Sequence, residues 1–157
     1  MDEPAFPRAV MLTGATGFLG SAIARALAAR GAAVRALVRP DTPRAVLAGV
    51  AVECVPGDLT DPASIARAME GCEAAIHCAA DYRISVPDPA RMAAVNVGGT
   101  EAVMRAALAA GLRRVVHVSS VATLRPRADG APATEADAAR PEEAIGPYKR
   151  SKTEAER

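Results

Sequence analysis

Two side chains near the end of the sequence have the types and the spacing for proton transfer. Tyr148 and Lys152 are four residues apart in a segment that predicts a helix from about Pro147, so both side chains share one face. An ammonium group beside a phenol favours the phenolate, which would make Tyr148 an acid or a base at neutral pH. Taken alone, the same pair is more typical of two solvated residues on a helix surface.

A glycine-rich segment near the start of the chain predicts binding of a diphosphate. It reads Thr13-Gly14-Ala15-Thr16-Gly17-Phe18-Leu19-Gly20, between an apolar run and an Ala-rich helical pattern. Such glycines let a strand turn tightly into a helix and bring the backbone close to a pyrophosphate, which the helix N-terminus attracts. The spacing departs by one residue from G-x-G-x-x-G, and a structural turn without a ligand is the alternative. The strand before and the helix after favour phosphate binding, with Gly14, Thr16, Gly17, Phe18, Leu19 and Gly20 as the expected contacts.

The elements that must position these residues alternate between strand and helix. Apolar runs predict strands at 9–12, 33–38, 51–55, 74–78 and 113–119. Helices are expected at 21–30, at 90–110 and from Asp61, an N-cap followed by Pro62, to Glu70, with at most a short helix at 43–48. Continuous apolar strands between helices predict an α/β fold, a doubly wound parallel sheet (Rossmann fold) with strand order 3-2-1-4-5.

The unusual residues gather where these strands end. The glycine segment follows the first strand, Arg39 the second, Asp58 the third, residues 77–80 the fourth and Ser120 the fifth. Ligands of doubly wound sheets bind beyond the carboxyl ends of the strands. A triad of Ser120, Tyr148 and Lys152 is therefore geometrically plausible.

Composition narrows the class of protein. A formal charge of +1, two Tyr, two Phe and no Trp give neither the basic field nor the stacking groups for nucleic acid. No apolar run approaches the ~20 residues of a membrane span, and the acidic start at residues 1–4 lacks the n-region of a signal peptide, so we expect a cytoplasmic protein. The three cysteines lack zinc or C-x-x-C spacing, and no metal is expected.

His77 and His117 lie on predicted buried strands and are interpreted as core residues. The Pro- and Ala-rich connection at 124–147 predicts a lid or substrate loop, with disorder as the alternative.

The chain resembles the extended branch of the short-chain dehydrogenase/reductase superfamily, the NAD-dependent epimerases and dehydratases. The matching residues are the glycine segment, Asp58-Leu59, His77-Cys78-Ala79-Ala80, Asn96 to Thr100, Val118-Ser119-Ser120 and Tyr148 to Lys152. Within that branch, residues 80–83, 88–89 and 119–123 are most similar to hopanoid-associated sugar epimerases and dihydroflavonol-reductase-like proteins.

The resemblance implies a role for each matching position. Ser120 would hold the substrate oxygen, Tyr148 would exchange its proton, and Lys152 would bind the nicotinamide ribose and tune Tyr148. Asp58 would hydrogen-bond the adenine with Leu59 packed on it, although a loop acid that caps a turn is an equal alternative. Asn96 would position the active-site helix or a water, unless it is a plain packing residue. The other cofactor contacts implied are Ala79 and Ala80, and Asn96 and Tyr148 also belong to the implied cofactor-binding set.

The implied reaction is hydride transfer between NAD(P) and a carbinol or carbonyl of a sugar-nucleotide-like or dihydroflavonol-like substrate. Both a reductase and an epimerase fit, and a non-catalytic nucleotide-binding or redox-sensing module is the alternative. An acidic residue after the second strand would select NAD; the chain has Arg39 there, which favours NADP, with Asp41 still able to reach a ribose.

The resemblance also implies how the chain is organised. Residues 1–157 would be the dinucleotide-binding domain, the N-terminal part of an enzyme whose last strands and C-terminal substrate domain are absent from this sequence. The fragment alone would then bind the cofactor weakly or be inactive, because its pocket lacks one wall. A homodimer through the helices near 90–110 and 148 is expected on the same ground.

Overall fold

The computed structural model describes residues 6–83 and 86–157. The acidic start at residues 1–4 lies outside the described residues. The described chain divides into two compact units. We call the residues up to Ala79 together with Ala102–His117 the sheet unit, and Ala80–Glu101 together with Val118–Arg157 the tyrosine unit.

The sheet unit contains a five-stranded parallel sheet in the order 3-2-1-4-5, as the sequence predicts. Its strands are β1 (Ala9–Thr13), β2 (Ala33–Val38), β3 (Val52–Pro56), β4 (Ala74–His77) and β5 (Arg114–His117). Thr13 is paired in register with His77 on β4, and His77 with His117 on β5. The ends of these parallel strands bring distant segments of the sequence to one edge.

Helix α1 (Phe18–Ala29) packs on β1 and β2. Its Ala24 and Leu27 join Val10, Leu12 and the alternate apolar residues of β2 in one buried cluster. The helix begins at Phe18, three residues before the predicted start at Ser21. The first turn of the helix lies inside the glycine segment, which the sequence pattern predicts as a loop up to Gly20.

Helix α2 (Pro62–Met69) lies between β3 and β4 in the chain and packs against β1, β2 and β3. The carboxylate of Asp61 caps it by accepting a hydrogen bond from the amide of Ala63 at 3.1 Å. Ile65, Ala68 and Met69 are fully buried. The structure confirms the predicted N-cap and the proline in the first turn. Both depend only on groups within one helical turn, which is why the sequence alone was enough to predict them.

The predicted helix at 90–110 is interrupted. Helix α3 (Pro89–Ala93) is followed by a π-helical segment, Ala94–Gly98, and then by α4 (Gly99–Ala109), with helical backbone angles at both junctions. The last helix is α5 (Pro147–Ala155). The fifth strand is two residues shorter than expected at its carboxyl end, since β5 stops at His117 and not at Ser119.

The 124–147 connection has local structure of its own. It contains two short 3-10 turns, Glu135–Asp137 and Pro141–Glu143, and an isolated bridge between Leu124 and Ala138. The backbone amide and the side chain of Arg140 hold the pKa of Glu143 below its usual value. Exposed pairs of this kind stabilise a fold little. Within residues 6–83 and 86–157, no helix is both long and apolar enough to cross a membrane.

Replacement of Gly20 by alanine should destabilise the protein. An added Cβ would lie 2.0 Å from the carbonyl oxygen of Gly14 and 2.6 Å from its carbonyl carbon, so that backbone must move. Overpacking of this kind costs about 1–3 kcal/mol, and we expect a lower midpoint of urea unfolding measured by circular dichroism.

The matched control is Gly98→Ala, at an exposed helical glycine with nothing within 4 Å of the added Cβ. Its midpoint should stay the same or rise slightly, because alanine favours helix over glycine. Equal midpoints for Gly20→Ala and the unmodified protein would contradict the close backbone contact.

Candidate functional site

The glycine segment of the sheet unit packs backbone against backbone. Gly14 has a φ of +74°, and a Cβ placed on it would lie 2.8 Å from the amide nitrogen of Ala79. A Cβ on Gly20 would be closer still to backbone, at 2.0 Å from the carbonyl oxygen of Gly14. Glycine is therefore required at positions 14 and 20, because the surrounding backbone leaves no room for a side chain. Gly14 lets the loop contact the chain after β4, and Gly20 lets α1 contact the loop.

Gly17 is different, because the protein does not fill the space beside it. It is the N-cap residue of α1 and supplies no side-chain cap. A Cβ at this position would approach only the carbonyl oxygen of Gly14, at 3.3 Å. The first amides of a helix have no acceptor within the helix, so the opening turn of α1 presents backbone donors and the positive end of its dipole. This arrangement suits an anion such as a diphosphate.

Three further predicted residues of the sheet unit follow strands β2 and β3. Arg39 directly follows β2 and is exposed. Asp58 accepts hydrogen bonds from the amide and the hydroxyl of Thr60, at 2.9 and 2.7 Å, so it does cap a turn. Leu59 beside it is 8% exposed.

A hydrogen-bonded cluster at the ends of β1 and β4 was not found by sequence reasoning. The Thr13 hydroxyl accepts from the amides of Cys78 and Ala79, at 3.1 and 3.0 Å, and lies 2.8 Å from Nδ1 of His77. Thr13 and His77 are each 1% exposed. Interpretation of His77 as a core residue agrees with its burial, but its ring nitrogen also has a polar partner.

In the tyrosine unit, the Lys152 side chain is only 3% exposed, and its Nζ donates a hydrogen bond to the carbonyl oxygen of Val118 at 3.0 Å. This burial argues against a plain solvated pair, because a lysine is rarely buried without a partner or a function. Tyr148, one turn earlier on α5, is half-buried.

Ser120 lies in the same unit as Tyr148 and Lys152. Its hydroxyl caps the 3-10 turn Val121–Thr123 by accepting from the amide of Ala122 at 3.1 Å, and α5 packs on that turn. The structure therefore places Ser120, Tyr148 and Lys152 in a single compact unit. Ala80 and Asn96 belong to this unit too.

Asn96 holds two segments of the tyrosine unit together. Its Oδ1 accepts from the amide of Asp81 at 2.7 Å, and its Nδ2 donates to the carbonyl oxygen of Asp81 at 2.8 Å and to the hydroxyl of Ser151 at 2.9 Å. Ser151 lies on α5 and donates in turn to the carbonyl oxygen of Tyr148 at 2.9 Å. These contacts fit the expectation that Asn96 positions the Tyr148 helix.

Asp81, whose backbone Asn96 holds, also has a charged side chain. Hydrogen bonds from the Arg83 side chain hold the pKa of the Asp81 carboxyl below its usual value, so it stays ionised at neutral pH. Among the described residues, no group of three or more His, Cys, Asp or Glu side chains could hold a metal ion.

The residues that sequence reasoning missed are Thr13, Ser151 and Asp81. Each acts through a partner at least 15 positions away in the sequence. The only local signal was a hydroxyl residue at the end of a buried strand, directly before the first glycine.

Comparison with known proteins gives three informative matches. Sterol demethylase protein B of Methylococcus capsulatus is 46% identical over 121 residues, 77% of this chain and 37% of that protein. A Synechocystis protein whose name likens it to dihydroflavonol 4-reductase is 38% identical over 145 residues, 92% of this chain and 42% of that protein. The solved structure of WbmG of Bordetella bronchiseptica in complex with NAD and UDP has a TM-score of 0.82 at 26% identity, covering 97% of this chain and 48% of WbmG.

The chain thus spans less than half the length of each of these proteins. Residues 10–157 match the family model described as NAD dependent epimerase/dehydratase. Together with the five-stranded parallel sheet, this match confirms the resemblance read from the sequence: the chain belongs to the NAD dependent epimerase/dehydratase family.

Proposed function

We propose that this chain binds NADP(H) or NAD(H) and serves an oxidoreductase or epimerase that transfers hydride to or from a carbinol or carbonyl carbon. The observation that carries the proposal is the opening turn of α1, where Gly17 leaves backbone amides and space that the protein does not fill. The family match to residues 10–157 supports it. The substrate class that the resemblance implies is sugar-nucleotide-like or dihydroflavonol-like.

The residues of the sheet unit fit a dinucleotide. The first-turn amides of Phe18, Leu19 and Gly20 would bind its diphosphate, with Gly14 and Thr16 forming the loop. Asp58, which caps the turn at Thr60, would hydrogen-bond the adenine, beside Leu59. Ala79 is small, as a residue next to the cofactor must be. The bound nucleotide supplies or accepts hydride.

The residues of the tyrosine unit would move the proton. Tyr148 would donate its phenolic proton to a substrate carbonyl oxygen on reduction, or take the proton of a carbinol on oxidation. The Lys152 ammonium, held by Val118, would stabilise the phenolate and bind the nicotinamide ribose. Ser120 accepts one hydrogen bond and retains its own O–H, which would orient the substrate oxygen. Asn96, through Ser151, would fix the helix that carries Tyr148.

Arg39 favours NADP(H) over NAD(H). It is exposed directly after β2, and a guanidinium can bind a 2′-phosphate through paired hydrogen bonds. A reductase would consume NADPH. An epimerase would keep its nucleotide bound through an oxidation and a second reduction. A non-catalytic redox-sensing module is the second candidate, but a sensor has no need of the Ser120, Tyr148 and Lys152 set.

The resemblance also bears on the domains and the oligomeric state of the protein. Residues 1–157 would form the dinucleotide-binding domain, and a C-terminal domain of a longer protein would select the substrate. A homodimer is expected from the resemblance.

Gly17→Ala should weaken NADPH binding without unfolding the protein. The added methyl group meets only one protein atom, at 3.3 Å, but it occupies the position where a phosphate must approach the amides. We expect the dissociation constant, measured by fluorescence titration, to rise at least about tenfold, with an unfolding midpoint close to that of the unmodified protein. Gly98→Ala is the control and should bind normally. Unchanged affinity in Gly17→Ala would refute the proposed diphosphate site.

Arg39→Ala should weaken NADPH and spare NADH. Loss of charge-assisted hydrogen bonds costs about 1.5–3 kcal/mol, so the dissociation constant of NADPH should rise about tenfold or more. Arg113→Ala, at an exposed arginine before β5, is the control and should change neither constant. Tighter binding of NADH than of NADPH by the unmodified protein would reverse the preference proposed here.

Tyr148→Phe should abolish most turnover while the protein still binds the nucleotide. Removal of a positioned general acid or base lowers kcat by about 10²–10⁴-fold. The measurement is kcat of the active enzyme on a substrate that it demonstrably converts. Tyr82→Phe, at a tyrosine that is 77% exposed, is the matched control and should keep full activity. Near-normal turnover by Tyr148→Phe would exclude the proposed acid/base; nucleotide binding without turnover of any carbinol or carbonyl substrate by the unmodified enzyme would favour the sensor.

A further inference from the structure

The cluster around Thr13 fixes the position of a hydrogen atom. A hydroxyl has one hydrogen to donate and two lone pairs that accept. The amides of Cys78 and Ala79 both donate to the Thr13 oxygen, at 3.1 and 3.0 Å, and so occupy both lone pairs. The third contact of the hydroxyl, 2.8 Å to Nδ1 of His77, must then use its own hydrogen.

This assignment determines the state of the imidazole. Nδ1 of His77 accepts a hydrogen bond, so it carries no proton, and the neutral ring must carry its proton on Nε2. If Nδ1 were protonated, two hydrogens would meet across 2.8 Å, and the Thr13 oxygen would have no lone pair left to receive the new one. One of the two amides would then have to give up its partner in a site where both side chains are 1% exposed.

The backbone amides of Cys78 and Ala79 lie against the glycine segment. A Cβ at Gly14 would be 2.8 Å from the nitrogen of Ala79 and 3.0 Å from the carbonyl carbon of Cys78, so these backbones are in direct contact. The segment that Thr13 holds is therefore the surface on which Gly14 rests. A shift of Cys78 or Ala79 would move the loop that leads to the opening turn of α1.

We propose that His77, as the neutral Nε2–H imidazole, is a positioning residue of the nucleotide site: it orients the Thr13 hydroxyl so that Cys78 and Ala79 support the glycine segment, and its protonation weakens nucleotide binding. This inference rests on the proposed function, in that the ligand is the nicotinamide nucleotide. His77 acts on the loop through Thr13 and takes no part in the chemistry.

The groups that face His77 set the sign of the pH effect. From β1 its partner is the non-titrating Thr13 hydroxyl, and from β5 the ring of His117 stacks on it with 5.3 Å between centroids and 28° between planes. A positive charge on His117 would repel a second one on His77. Protonation is thus favoured in the unfolded chain, or in a chain whose Thr13 contact is broken. Stability should therefore fall as the pH drops below the ordinary imidazole pKa of about 6.5, and affinity should fall on the acid side, where His77 of the free folded protein gains its proton.

The binding experiment compares two substitutions of His77. Asparagine places an Oδ1 acceptor near the position of Nδ1 and does not titrate, whereas leucine fills space without an acceptor. The probe is NAD⁺, which has no 2′-phosphate to titrate, and its dissociation constant is measured by calorimetry between about pH 5 and pH 8. His117→Asn serves as the control for the second imidazole.

The inference predicts a distinct profile for each protein. The unmodified protein should lose affinity with a limiting slope of about tenfold per pH unit on the acid side. His77→Asn should bind at low pH as it does at high pH, with the affinity of the unmodified protein at pH 8. His77→Leu should bind weakly throughout, and His117→Asn should keep the acid-side slope. The idea is wrong if His77→Asn retains that slope, or if folded His77→Leu binds normally at pH 8.

A second measurement is independent of nucleotide binding. Nitrogen-15 spectra of protein labelled at histidine should show, for His77 at neutral pH, a proton on Nε2 and a bare Nδ1. A proton on Nδ1 would overturn the inference whatever the binding data show. If the tautomer is as expected but the unmodified protein binds neither NAD⁺ nor NADPH at pH 8, the proposed function fails and the claim for His77 as its positioning residue fails with it, while the hydrogen-bond assignment stands.

Discussion

The contact between the backbone of Gly14 and the chain after β4 is the constraint on which the rest of the sheet unit depends. There is no room for a side chain: a Cβ would lie within 3.0 Å of three backbone atoms of Cys78 and Ala79. The loop is therefore pressed against the end of β4, and Gly20 is pressed against the loop. With both contacts in place, α1 begins at Phe18, and its first amides follow directly on the glycine loop.

Thr13 links this steric constraint to hydrogen bonding. It occupies the last position of β1, in register with His77, and its side chain accepts hydrogen bonds from two backbone amides just beyond the end of β4. A buried amide that loses its partner costs about 1–3 kcal/mol, so this one hydroxyl contributes to holding two backbone groups at once. A fully satisfied buried network of this kind favours one arrangement of the loop over its alternatives.

The tyrosine unit uses the same principle with different groups. Asn96 satisfies both the N–H and the C=O of Asp81 and also holds Ser151 on α5, while Lys152 on that helix is held by Val118. The π-helical segment contains Asn96, and such segments occur frequently at functional sites because they redirect one side chain out of the regular pattern. The acid/base candidate Tyr148 thus lies on a helix whose position is fixed by buried polar contacts.

The sequence by itself determined the features that depend on local chemistry and on general rules of chain topology. The sequence predicted the N-cap at Asp61, because a capping carboxylate acts within one turn, and the strand order 3-2-1-4-5, because parallel crossovers are right-handed. The family was predicted from the order and spacing of the motifs. Tertiary structure decided the rest: the start of α1 at Phe18, the end of β5 at His117, the π-helical segment, the burial of Lys152 and the Thr13–His77 cluster. The partners of Thr13 and Lys152 are 64 and 34 residues away in the chain, and no residue pattern within one segment encodes which group another segment will place beside it.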